Sequence, residues 1–307
     1  MSSIDVRPFR RGDREQLTHL VNVHAAAVIP GVSASVNTVM SQLEREPGEF
    51  IVDPWVVERA TLVAEQRGRV VGAAHLLRYA ADEHVGEAYR DSAEIRWFLF
   101  WPEAPYWPDS THATDALITA CVSQLDRWGV SYQGADGALP VPGVYGVPEQ
   151  WPHVRAAYEQ AGFVHEGRIE VVYMASVDEI PRPPRAPIQG LTLARSVGIN
   201  GTRFSATLGA DLVGYIEVES LEDSGRLPRH GGWADIGNLH VAESHRRQGV
   251  GAWLVGQAAE WLQLARLERV LDYAWPEQPE YEAFLRQVGF RELTRTKRGW
   301  RRRPPRS

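Results

Sequence analysis

Apolar residues recur along this chain in two rhythms, short runs with the spacing of strands and longer stretches with the spacing of helices. Residues 6–10 read as a first strand. Residues 13–28 place Leu17, Leu20, Val21 and Val28 at helical spacing, stopped by Pro30-Gly31, and a second helix is predicted over 35–46, closed by Pro47-Gly48. Strands over 61–65 and 70–77 meet at Gln66-Arg67-Gly68-Arg69, a hairpin signal, and a strongly aromatic strand follows over 94–101. Residues 114–128 form a helix with Leu117, Cys121 and Leu125 inward. A stretch punctuated by Gly and Pro covers 132–148, then a helix over 151–161 stops at Gly162 and a strand runs over 164–174.

Four prolines between 178 and 190 (Pro181, Pro183, Pro184, Pro187) read as a semi-rigid extended linker. The expected division is therefore 1–178, a linker over 179–190, and 191–307. Strands are predicted over 191–195, 203–207, 211–218 and 269–275, and a helix over 279–287 ended by Gly289. The basic end from Lys297 to Arg306 reads as a solvated tail, frayed past Trp300.

The most informative pattern lies over 234–262. Ile236, Leu239 and Val241 make a short apolar run, the polar stretch 243–248 follows, and Val250, Trp253, Leu254, Ala258, Trp261 and Leu262 recur at helical spacing. Gly249 and Gly251 stand where this loop enters the helix. Without Cβ atoms they let the backbone approach a ligand. The first-turn N–H groups point outward with the helix dipole behind them, an arrangement that binds phosphate. Arg246 and Arg247 add positive charge at the same mouth.

The strand, the spacing Arg246-x-x-Gly249-x-Gly251 and the helix together resemble the pyrophosphate loop of the GNAT superfamily, the general-control-related N-acetyltransferases. A second signature agrees, since Leu285-Arg-Gln-Val-Gly-Phe290 resembles the family's Tyr-x-x-x-Gly-Phe ending of its fourth helix. The chain also repeats itself. Gly72 parallels Gly214 (142 apart), Glu94 parallels Asp235 (141 apart), and Gly162 parallels Gly289 (127 apart). The resemblance thus covers nearly the whole chain and implies an α/β (α+β) protein of two tandem GNAT-like domains, each a mixed, mainly antiparallel sheet flanked by helices.

The copies differ. The N-terminal one has Pro102, Pro105 and Pro108 where the loop would stand, and prolines supply no backbone donors to a phosphate. It keeps Tyr158 at the family's general-acid position, where the C-terminal copy has Leu285. The resemblance implies a degenerate first domain and acetyl-CoA bound by the second. The implied cofactor-binding residues are Leu239, His240 and Val241 along the strand edge and Arg246, Arg247, Gln248, Gly249, Val250, Gly251 and Ala252 around the loop. The implied base is Asp235, where some members carry a strand glutamate, with Glu217 and Glu219 as alternatives and His230 and His240 as weaker ones. Tyr273 and Tyr281 are the residues able to replace the missing acid. The implied reaction moves an acetyl group to a primary amine, expected to be that of a small molecule. A non-catalytic acyl-CoA-binding or scaffold protein and a protein-modifying acetyltransferase stay open.

Composition adds limits. A net charge of −6 argues against a general nucleic-acid binder. The single Cys121 excludes an internal disulfide framework and fits a reducing compartment. No apolar run reaches membrane-spanning length, the start has no signal-peptide pattern, and no His, Cys and carboxylate spacing suggests a metal. The expectation is a cytoplasmic monomer or homodimer without nucleic-acid or membrane partners. Lys297 is the sole lysine, and with abundant Ala, Gly and Pro this points to a high-GC bacterial genome.

Overall fold

The computed structural model describes residues 4–45, 52–101, 110–140, 143, 145–221 and 232–303. In chain order the first elements are β1 (Asp5–Pro8), α1 (Arg14–Val28), α2 (Val36–Glu44), β2 (Val56–Gln66), β3 (Arg69–Tyr79) and β4 (Ser92–Phe100). Then come α3 (Ser110–Trp128), β5 (Tyr132–Ala135), β6 (Val147–Pro148), α4 (Pro152–Gln160) and β7 (Val164–Ser176). The remainder is β8 (Leu191–Val197), β9 (Thr202–Leu208), β10 (Asp211–Ser220), β11 (Gly232–Val241), α5 (Val250–Leu264), β12 (Leu267–Ala274), α6 (Pro279–Gln287) and β13 (Arg291–Arg302).

These elements form two compact units, Met1–Ile169 with Arg295–Ser307, and Glu170–Thr294. The first unit holds the strand order β1-β2-β3-β4-β5-β13, with β6 also pairing β13. The second holds β7-β12-β11-β10-β9-β8. In each, one neighbouring pair is parallel, β4 with β5 and β11 with β12, and a helix joins the two strands as a parallel pair requires. The strands are therefore mixed and mainly antiparallel, as the sequence implies.

The units divide at Ile169/Glu170, within β7, and at Thr294/Arg295, within β13, rather than at the Pro-rich segment. The strand after α4 does not complete the first sheet. β7 instead pairs with β12 over Val171–Ser176, and β13 returns to pair with β5 in the first unit. The cause is legible in β13. Thr294, Thr296 and Trp300 are buried at strand spacing, and Trp300 packs with its ring 5.9 Å from Tyr158. The end expected to be a frayed basic tail is thus a strand as far as Arg302, whose guanidinium bonds Asp126 at 2.7 Å.

The segment expected to be an extended linker packs on the second unit. Ile180 is buried in that unit's core, Pro181 and Pro183 lie against Gly256 of α5, and Pro187 lies against Gly249. Elsewhere the local rules hold. Ser35 caps α2 by accepting a hydrogen bond from the Thr38 N–H at 3.1 Å. α4 and α6 each start on a proline and stop before a glycine at positive φ, Gly162 and Gly289. Among the described residues no helix is long and apolar enough to cross a membrane. Nor does any group of three His, Cys, Asp or Glu side chains stand where it could hold a metal ion.

Candidate active site

Both units carry the same irregularity. In the first, His75 faces Trp97 and Leu76 faces Ile95, so Arg96 bulges from β4. In the second, Glu217 faces Asn238 and Val218 faces Ile236, so Gly237 bulges from β11. Beside each bulge the parallel pairing stops, at Ile95↔Ala135 and at Asp235↔Leu271. Each sheet therefore splits at equivalent positions, and the internal duplication extends to register.

What fills the two splits differs. In the first unit the chain leaving β5 stays on the edge of β4. The Asp136 N–H donates to the Ile95 carbonyl at 2.8 Å and the Ala138 N–H to the Arg96 carbonyl at 3.1 Å. Gly137 lies so close to Gly146 that a Cβ on it would sit 2.2 Å from the Gly146 carbonyl oxygen. Tyr158, the residue at the family's acid position, is fully buried and donates its hydroxyl to the Asp136 carbonyl at 2.7 Å. Burial raises its pKa well above the ordinary tyrosine range. This split is closed by its own chain. The loop with Pro102, Pro105 and Pro108 lies outside the described residues, as does His230.

In the second unit the edge of β11 past Asp235 borders a cleft of about 660 Å³. Leu239, His240 and Val241 form one wall, and Gly249, Val250, Gly251 and Ala252 form the floor at the start of α5. α6 forms the other wall with Tyr281 and Phe284. Gly249 has φ 84° and ψ −1°, a left-handed conformation that turns the polar loop into the helix. The α5 ladder begins with the Trp253 N–H on the Gly249 carbonyl at 3.0 Å, which leaves the N–H groups of residues 250–252 without partners inside the helix. A Cβ on Gly251 would lie 3.2 Å from the Phe284 ring, a tight contact that would press the ring outward.

The basic residues of the loop divide their tasks. Arg246 folds back, its Nε donating to the Val241 carbonyl at 3.1 Å, and so ties the loop to the strand end. Arg247 has φ 61° and reaches Glu280 across the mouth at 3.4 Å. Both partners of that pair are about four-fifths exposed, so it is weak and yields readily to a bound anion. Gln248 does not line the cleft; its side chain donates to the Ser244 carbonyl at 3.0 Å and closes the loop.

Asp235 is buried at the last paired position, facing Glu219 on β10 and Leu271 on β12, and does not line the cleft. Glu219 is exposed. Glu217 has a different job from a base. It is 1% exposed and accepts from Arg203 at 3.3 Å and from the N–H groups of Ile199 and Asn200 at 3.4 Å each. It thereby pins the turn over 198–201 that stands in place of the helices found between the first two strands of the other unit. Asn200 in that turn rests on the bulge, its side-chain amide donating to the Gly237 carbonyl at 3.3 Å. Only a glycine fits beneath it, since a Cβ on Gly237 would lie 2.4 Å from the Asn200 Cβ. His240 is exposed on the rim, 5.6 Å from the Tyr215 ring, which carries the Arg203 guanidinium at 3.7 Å.

One residue that sequence reasoning missed stands at the split. Asp272, the first residue of β12 past the last pair, is 4% exposed and accepts the Tyr281 hydroxyl at 2.6 Å and the Tyr273 N–H at 2.7 Å. Burial pushes its carboxyl up to about 7. The available signal was a single acid inside the apolar run Val270-Leu-Asp-Tyr-Ala274. Leu285 is fully buried in the core and offers the cleft no polar group. A larger cleft, of about 1330 Å³, lies in the first unit among β1, α2, β2 and α3. None of its lining comes from β4 or β5, and its Arg7 is locked to Asp13 and Glu65.

Comparison with known proteins agrees with this geometry. Residues 178–290 match the model of the acetyltransferase (GNAT) family. No curated protein matches the chain significantly. Among solved structures, a tandem GNAT protein from the clavulanic acid biosynthesis pathway, solved without AcCoA, superposes with TM-score 0.69 at 15% identity, over 99% of this chain and 100% of its own. A GCN5-related N-acetyltransferase from Sphaerobacter thermophilus gives TM-score 0.62 at 13% identity, over 99% of this chain and 97% of its own. A GCN5-related glucosamine N-acetyltransferase region in a fungal multi-domain GH3 β-N-acetylglucosaminidase gives 0.64 at 12% identity. There the match covers 98% of this chain but only 38% of the fungal protein. At such identities the likeness establishes the fold, and it extends over both units.

Proposed function

We propose, from the tandem GNAT fold and the match of residues 178–290 to the acetyltransferase (GNAT) family model, that the chain transfers an acetyl group from acetyl-CoA to a primary amine of a small molecule. The observation that carries this reading is the open split of the second unit. A strand edge, a glycine-started helix and two arginines meet there around one cleft. Bound acetyl-CoA would place its diphosphate on the N–H groups of residues 250–252, with Arg247 released from Glu280 to join them. Its pantetheine arm would follow Leu239–Val241, leaving the thioester near the split. The acceptor ammonium must lose a proton before attack, and Asp235, at the last paired position of β11 beside the split, is the side chain assigned to receive it, through water because Asp235 does not line the cleft. The first unit, with its split closed by residues 136–138, serves as scaffold.

Two expectations follow from this reading. Calorimetric titration with CoA gives one site per chain, and two equal sites would mean that the first unit opens in solution. Asp235→Asn lowers kcat by roughly 10²-fold while CoA affinity stays within about threefold of the parent value. An unchanged pH–rate profile in that variant would move the base role to water. Leu285 supports a second reading, a non-catalytic acyl-CoA binder, because the cleft then lacks an acid at the family position. Thiol release from acetyl-CoA over a panel of primary amines separates the two.

A further inference from the structure

β8 ends the strand order of the second unit, and among the described residues it pairs with β9 alone. An unpaired edge is a template for another strand, and edges that stay single are short, charged or broken by proline. The duplication supplies a comparison within one chain. β1, the edge of the first unit, is four residues long and carries Asp5, Arg7 and Pro8. β8 runs for seven residues, Leu-Thr-Leu-Ala-Arg-Ser-Val, with one charge and no proline. That charge does not guard the edge, because the Arg195 guanidinium lies over the Trp261 ring of α5 at 4.3 Å. Val197, at the end of the strand, is 92% exposed.

The backbone decides which groups this edge offers. Just past β8 the Gly198 N–H donates to the Gly201 carbonyl at 2.8 Å, across the turn to β9. By the alternation of an antiparallel pair, Ser196, Ala194 and Thr192 also turn their N–H and C=O toward β9. Leu193, Arg195 and Val197 therefore turn theirs outward. Side chains alternate as well. Leu191 and Leu193 pack on the core and Arg195 reaches α5, so these three and Val197 share the α5 face. Thr192, Ala194 and Ser196 share the opposite face and are exposed.

We propose that two copies of this chain pair through β8, antiparallel about a two-fold axis at Ala194, into one continuous sheet. Such an axis makes the contact self-complementary and sets residues of the same face opposite each other. Centred on Ala194, Leu191 meets Val197 of the second copy, Leu193 meets Arg195, Thr192 meets Ser196, and Ala194 meets its own equivalent. The outward N–H and C=O groups of Leu193 and Arg195 then bond across the axis. On the α5 face Val197 gains an apolar neighbour and the Arg195 stem lies along Leu193; on the other face polar meets polar. Moving the axis to Arg195 would set two guanidinium groups directly opposite, which is unfavourable. The contact is one strand wide, so the dimer is weak and forms in the micromolar range. β9 and β10 stand between β8 and β11, so the pairing leaves the CoA cleft open and does not depend on acetyl transfer.

The test is sedimentation of the full chain at roughly 5 to 200 μM, the range of a weak contact. The parent is expected to pass from monomer to dimer across it. Ala194→Lys sets two ammonium groups face to face and should weaken association at least about fivefold. Mixing it with Ala194→Glu should restore a dimer of one copy of each. Ala194 is exposed in the single chain, so both variants keep the parent thermal midpoint and CoA affinity. Register is read by cross-linking, which is clean because Cys121 is fully buried. Opposed residues of a non-hydrogen-bonded pair lie about 4.5 Å apart at Cα, within the reach of a disulfide. Ala194→Cys should thus form a covalent dimer under mild oxidation, at least about tenfold faster than Arg195→Cys, whose opposite number is Leu193. A parent that stays monomeric at about 200 μM, a dimer that Ala194→Lys leaves as tight, or equal cross-linking by the two cysteine variants overturns the proposal.

Discussion

Replacing Gly249 with valine is expected to weaken CoA binding by at least about 100-fold, roughly 2.7 kcal/mol. Two costs combine at this position. At φ 84° a β-branched residue is strained by roughly 1–3 kcal/mol, and the new Cβ would lie 3.3 Å from the Pro187 Cβ. The backbone relieves both by rotating toward negative φ, which turns the N–H groups of residues 250–252 away from the mouth. Each such group bonded to a diphosphate oxygen contributes roughly 1.5–3 kcal/mol, so losing even one accounts for the expected change. Folding should suffer much less, because the buried face of α5 with Trp253, Leu254, Ala258 and Leu262 is untouched. Calorimetry with CoA and a thermal melt on the same sample separate the effects. A variant that binds CoA within threefold of the parent would place the diphosphate elsewhere.

That position was readable because glycine spacing at a strand-to-helix junction has few other uses. The same holds for the duplication, where Ala93-Glu-Ile and Ala234-Asp-Ile mark the approach to both bulges. What could not be read follows from two physical facts. A strand pairs with whichever edge is available, and its sequence does not name that edge, so the destinations of β7 and β13 were invisible. The alternation of Thr294, Thr296 and Trp300 was there to see, but arginines between them mask it by charge. The second fact concerns burial. Glu217 and Asp272 carry the same kind of side chain in the strands on either side of β11, yet one meets Arg203 and backbone N–H groups while the other meets a phenol. Only the partners decide that the first is a clamp on the turn over 198–201 and the second a carboxyl held near neutrality. The prolines after Asp178 are a separate case. Prolines make a segment rigid, a rigid segment loses little entropy on docking, and Pro181 and Pro183 dock on α5 while Pro187 docks on its capping Gly249.

A fragment that starts at the end of that Pro-rich segment, residues 188–307, is expected not to fold. Cutting there removes β7, which pairs with Arg269–Ala274 along the whole free side of β12. It also removes Val171, Tyr173, Ala175, Val177 and Ile180, each no more than 4% exposed within the core of the second unit. At roughly 1.5–3 kcal/mol for each larger apolar side chain, that loss matches the 5–15 kcal/mol by which domains are ordinarily stable. The fragment keeps β13, whose Trp300 is buried in the first unit against Tyr158 and whose pairing with β5 is gone with that unit. It therefore exposes a bare β12 edge and a strand without a partner, the conditions for aggregation. Residues 164–294 make the comparison, since they retain β7 and end where the second unit ends. Thermal melts followed by circular dichroism should show a cooperative transition for 164–294 and none for 188–307, with CoA raising the midpoint only of the former. A cooperative, CoA-binding 188–307 would mean that β7 is dispensable and that the second unit closes its sheet without the strand it takes from the chain after α4.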